Sequence, residues 1–192
     1  MDERNKKLVE AAQTVFGRYG VSKTTMNDIA REAGVARQTL YNAYPSKEAV
    51  LRATLRHAAD HAMDAVSSAW REQTSLCDKL ETYFQLGPLN WYDITQASPE
   101  AADLIDGIHT IAKHEMIEIA KLWNVMFETV IREHAVEGGV AHRNAAATAE
   151  FIFSASMNAK INAPDRSVIV TRLNILKLAV LSLVERSEMD FC

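Results

Sequence analysis

Proline and glycine are scarce, at 4 and 7 of 192 residues. A β-sandwich or small barrel needs frequent turns, and this chain lacks the residues that make them. Cysteine is scarcer still. Cys77 and Cys192 cannot build a disulfide framework, which fits a reducing cytoplasm. A long uninterrupted apolar run is also missing. The most apolar stretch, Val168 to Val184, carries Arg172, Asn174 and Lys177, and reads as short and polar for a bilayer span. The opening residues Met1 to Lys7 are charged and lead straight into an amphipathic pattern, so no secretory signal is expected. Neither a Gly-rich phosphate loop nor a G-x-S-x-G elbow occurs. None of His57, His61, His109, His114, His134 and His142 is spaced with an acid or nucleophile, and Cys77 reads as a core thiol. Enzymatic chemistry and a cofactor are therefore not expected.

What is present is ordinary globular composition with a helical bias. Hydrophobic residues are 48% and charged residues 24%, which excludes disorder as the main state. The net charge is −4, but it is uneven. Residues 1–52 hold 9 Lys+Arg against 6 Asp+Glu, and the remainder holds 12 against 19. A basic head on an acidic body points to a polyanion met by the head alone.

Almost every segment repeats its apolar residues with a period near 3.6, and the pattern predicts about nine helices. The first runs from about Arg4 to Tyr19 and stops at Gly20. The second starts at Thr25, with Asp28 placed for a reciprocal cap, and ends at Gly34. A short third covers about Arg37 to Tyr44. Pro45 blocks it and Ser46 caps a long fourth, Lys47 to about Arg71. A fifth follows Ser75 and ends near Gly87-Pro88, leaving residues 88–97 irregular. Ser98-Pro99-Glu100 starts a short sixth ending at Gly107. A seventh is expected over about His109 to Val136, an eighth over Asn144 to Asn162, and a ninth capped by Ser167 and reaching Glu185.

The second and third helices are joined by Gly34-Val35 with almost no spacer, as in a helix-turn-helix. Arg37, Gln38 and Thr39 open the third helix, where side chains first reach base edges. Arg pairs with guanine, Gln with adenine, and the Thr methyl meets thymine. Tyr41 and Asn42 come one turn later. Lys47 opposes the dipole of its own helix unless a phosphate sits there, which marks it as a phosphate ligand. Lys23, Thr25 and Asn27 are the further backbone anchors.

The run Thr25 to Glu48, with Thr39-Leu40-Tyr41, Tyr44 and Ser46-Lys47-Glu48, resembles the tetracycline-repressor-like (TetR) family of bacterial transcription regulators over about residues 5–53. Ala36 departs from the Ser or Thr cap common there. The resemblance implies an all-α chain with a three-helix DNA-binding domain at 1–48 and an effector-binding and dimerisation domain at 49–192. It implies a ligand-responsive repressor on a palindromic operator of double-stranded DNA, released by a small, partly apolar effector. An activator of the same fold and a non-specific DNA-binding protein are the alternatives.

The eighth and ninth helices are apolar on nearly every side, so a large core or a second chain must cover them. The resemblance implies the second, a homodimer. It also implies an effector pocket, with candidate walls Tyr83, Phe84, Trp91, Tyr92, His109, Met116, Trp123, Met126, Phe127, Phe151 and Asn158. His57 and His61, spaced i, i+4 with Asp64 beyond, read as a solvated edge rather than a metal site.

Overall fold

A computed structural model describes residues 2–98 and 100–187; Pro99 and Cys192, both singled out above, lie outside the described residues. Those residues contain no strand. The helices are α1 (Glu3–Lys23), α2 (Met26–Glu32), α3 (Arg37–Ala43), α4 (Lys47–Arg71) and α5 (Leu76–Phe84). A π turn, Gln85–Leu89, leads directly into α6 (Asn90–Ala97). There follow α7 (Ala101–Ile111), α8 (Lys113–His134), α9 (Val140–Arg143), α10 (Ala145–Asn158) and α11 (Arg166–Val184). The chain forms two compact units. The first takes the described residues up to His61 together with Asp93–Ile119; the second takes Ala62–Tyr92 and the described residues from Ala120 onward.

In the first unit, Leu8, Val9, Ala12, Val15 and Phe16 of α1 are buried, as are Ile29 of α2, Leu40 of α3 and Val50 of α4. Gly20 adopts the left-handed region (φ 74°) and kinks α1 rather than ending it. The freed backbone is taken up by α7 and the residues before it. The Ser22 amide donates to Asp103 Oδ2 at 2.8 Å, Lys23 Nζ reaches Glu100 Oε1 at 2.6 Å, and Ser98 Oγ donates to the Gly17 carbonyl at 2.7 Å. The Ser22 amide, with its hydroxyl, holds the Asp103 carboxyl below the usual carboxylate range. A Cβ at Gly107 would lie 2.6 Å from a methyl of Val21, so only glycine lets α7 close on α1.

Gly107 therefore does not terminate a helix; α7 continues to Ile111, and α8 begins only at Lys113. The break falls at Ala112, and α4 holds it. Arg52 Nε donates to the Ile111 carbonyl at 3.1 Å, and Arg56 Nη2 donates to the buried Glu115 at 2.6 Å.

In the second unit the aromatic rings cluster. Tyr83 lies edge-on to Phe127 with centroids 4.7 Å apart, Trp123 is 5.0 Å from Tyr83, and Trp70 meets Phe127 at 5.5 Å. Residues 88–97 are helical rather than irregular. Pro88 lacks an amide to donate, and the chain widens by one π turn instead of stopping. The helix Ala145–Asn158 ends short of Asn162, which takes a positive φ of 54°. Asp165, not Ser167, caps α11. Its carboxylate accepts from the Ser167 and Val168 amides at 2.8 and 3.2 Å, and a charged acceptor outcompetes the hydroxyl.

Candidate nucleic-acid interface

The hairpin of α2 and α3 is built by local chemistry. Thr25 Oγ1 accepts from the Asp28 amide at 3.2 Å, and Asp28 Oδ2 accepts from the Thr25 amide at 3.1 Å. This reciprocal cap starts α2 and holds the Asp28 carboxyl below its ordinary range, with the Thr25 hydroxyl as the main cause. Gly34, at φ 64°, turns the chain toward α3. The N-cap of α3 is Ala36, and no side chain caps that end. Leu40 is the fully buried keel of α3.

The opposite edge of α3 faces solvent. Arg37, Gln38 and Asn42 are exposed, and Thr39 and Tyr41 are half-buried. The side chains are pre-ordered in i, i+4 pairs. Arg37 lies over the Tyr41 ring at 5.1 Å and donates to its hydroxyl at 3.2 Å; Gln38 Nε2 donates to Asn42 Oδ1 at 2.9 Å. Thr25 and Asn27, at the start of α2, are exposed. Lys23 is paired with Glu100. Lys47 Nζ donates to the Val21 and Ser22 carbonyls at 2.7 and 3.3 Å. The dipole conflict noted for Lys47 is thus relieved within the protein, by carbonyls that the kink in α1 leaves open. No local signal in the sequence could have shown that partner, which lies 26 residues upstream.

Of the eleven candidate wall residues, four come together in the second unit: Tyr83, Phe84, Trp123 and Phe127. Trp70 and Phe153 complete the cluster, Phe153 stacking on Trp123 at 6.5 Å. The Tyr83 hydroxyl is buried and 2.9 Å from Ser156 Oγ; burial raises its pKa, against a smaller opposing effect of that hydrogen bond. Phe84 also lines an open groove with Leu89 and Leu173. Trp91, Tyr92 and Met126 are half-buried in the same unit, whereas Phe151 and Asn158 face outward. His109 is exposed on α7 and Met116 is half-buried on α8, both in the first unit.

Lys160 carried no sequence signal. Its ammonium sits 5.4 Å from the Trp91 ring centroid, and burial lowers its pKa to about 8.

Helices α10 and α11 keep a large apolar surface uncovered. Phe151 is 52% exposed, Ile175 62% and Leu178 64%. By length and composition α11 could cross a bilayer, yet Ile169, Leu173, Leu176, Val180 and Val184 are packed within the second unit.

Residues 8–54 match the profile of the family described as bacterial regulatory proteins, tetR family. The chain is similar to the HTH-type transcriptional regulator BetI of Agrobacterium fabrum, 41% identical over 69 residues, 35% of this chain and 34% of that protein. It is similar to the HTH-type transcriptional repressor KstR2 of Mycolicibacterium smegmatis, 32% identical over 81 residues, 42% of this chain and 40% of that one. The chain thus covers well under two thirds of those relatives. A crystal structure of a transcriptional regulator from Cytophaga hutchinsonii superposes with a TM-score of 0.71, covering 97% of this chain and 100% of that one at 21% identity. That likeness shows a shared fold.

Proposed function

Residues 8–54 of this chain are the N-terminal domain of the tetR family of bacterial regulatory proteins, and from that premise we propose that the whole protein is a ligand-responsive transcriptional repressor. The observation that carries the reading is the outward edge of α3. Arg37, Gln38 and Asn42 are exposed to solvent while Leu40 anchors the helix from behind, as a helix entering a major groove requires. Residues 1–48 bind double-stranded DNA, and residues 49–192 bind an effector and pair two copies. Arg37, Gln38 and Thr39 meet base edges; Tyr41, Asn42, Thr25 and Asn27 hold the backbone.

The uncovered apolar side of α10 and α11, with Phe151, Ile175 and Leu178, supports pairing with a second copy. A two-fold pair presents two α3 helices, so the operator is palindromic. The effector is small and partly apolar, taken against the aromatic wall of the second unit. It acts by binding the DNA-incompetent state more tightly. Selection of bound duplexes from a random pool tests this. A recovered palindrome, bound by two copies of the chain, supports the proposal; recovery of no preferred sequence at moderate salt removes it.

A further inference from the structure

The first 52 residues hold nine cations, Arg4, Lys6, Lys7, Arg18, Lys23, Arg31, Arg37, Lys47 and Arg52. Most are already engaged. Arg18 pairs with Glu32, Lys23 with Glu100, Arg31 with Asp28, and Arg52 lies by Glu115 and holds the Ile111 carbonyl. Lys47 is committed to the carbonyls at the kink of α1. A cation already held by a carboxylate gains little from a phosphate, because the carboxylate must first be given up and then repels the DNA. What remains is Arg37 on α3 and, on the first two turns of α1, Arg4, Lys6 and Lys7, all exposed. Glu3 and Glu10 lie one turn from Lys7 and Lys6, yet neither forms an ion pair with them among the described residues.

Position then separates the three. On a helix, Arg4 and Lys7 share a flank at i, i+3 while Lys6 lies on the other. Lys7 Nζ is 3.9 Å from the point where a side chain on Gly34 would begin, beside the turn that delivers the chain into α3. In a helix-turn-helix complex the start of the second helix lies at the mouth of the major groove, bordered by the sugar–phosphate backbone.

We propose that Lys7, with Arg4 one turn before it, is a phosphate clamp of the DNA interface, and that the salt-sensitive part of binding comes from α1 rather than from Lys23. This rests on the DNA-binding reading above. Lys7 and Arg4 neutralise backbone phosphates next to the turn and set the depth at which α3 sits, while Arg37 and Gln38 choose the sequence.

The test uses the full chain and a 30-base-pair duplex recovered by the random-pool selection, with affinity measured against salt. The slope of log K against log salt should fall by about 0.9 for each cation removed from each head. Lys7→Ala and Arg4→Ala should each produce that fall and select an unchanged sequence, and Lys7→Arg should restore the slope. Lys23→Ala should leave the slope unchanged. Helical circular dichroism and the melting temperature show that each variant is folded. If Lys7→Ala and Arg4→Ala keep the parent slope while Arg37→Ala loses selection, the clamp is refuted and the regulator reading stands. If the parent protein selects no duplex, both fall.

Discussion

The two units hold themselves together by different means. The first is tied by directed polar contacts at helix ends: the Thr25–Asp28 cap, Lys47 on two carbonyls, Asp103 on the Ser22 amide, Arg52 on the Ile111 carbonyl. The second is filled by rings, with Tyr83, Trp123 and Phe127 in mutual contact, Trp70 edge-on to Phe127, and one buried hydroxyl pair. Polar contacts at helix ends fix angles, which a surface that reads DNA needs. Ring packing supplies stabilisation in bulk and tolerates exchange of one apolar side chain for another. The family profile matches residues 8–54 in sequence, and the likeness that spans 97% of the chain is one of fold.

The sharpest way to break this contrast is to empty the ring cluster. Phe127→Ala should cost about 3–5 kcal/mol of unfolding free energy, read in urea. Sequence selection should persist wherever the variant remains folded. An equal loss from removing a polar tie in the head would erase the distinction. Next in size, Arg37→Ala should lose roughly 1–3 kcal/mol of discrimination at one base pair of the selected site, with the urea midpoint essentially unmoved. A smaller effect is expected at the start of α2. Thr25→Ala removes a cap worth about 1 kcal/mol, seen as a lower melting temperature.

These expectations also mark what was legible beforehand. The cap at Thr25, the turn at Gly34 and the bare N-cap at Ala36 all depend on residues within a few positions of each other, and all stand where the pattern put them. The partners of Lys23 and Lys47 lie 77 and 26 residues away, and nothing local announces them. The same holds for the break at Ala112, which α4 stabilises through contacts spanning 59 residues of sequence. Pro88 misled for another reason: its missing amide is compatible with either a stop or a widened turn, and only packing decides. For the candidate wall, composition identified the rings. It could not tell inward from outward on helices apolar all round, and so grouped exposed Phe151 and Asn158 with buried Tyr83 and Phe127.

The smallest expected effect lies at Lys160. Its pKa, lowered to about 8 by burial, means that the folded state sheds a proton before the unfolded chain does. Below pH 8 both states are protonated and the cost of burying the charge is present in full. As pH rises from about 8 toward the ordinary lysine value, the folded state alone is neutral and that cost is relieved. Stability relative to Lys160→Met should therefore improve over that interval, as paired urea titrations at pH 7 and pH 10 would show. A constant gap would mean that the amine is fully hydrated.

The contact of Gly107 with Val21 acts as a ruler for the head. A notch too narrow for a methyl group admits one residue of α7 at one place on α1. Sliding α7 by a single position would push Asp106 or Ile108 into that slot, so the two helices have no neighbouring register in which to settle. In a saturation library, position 107 should accept glycine alone, although it touches neither a base nor a ring.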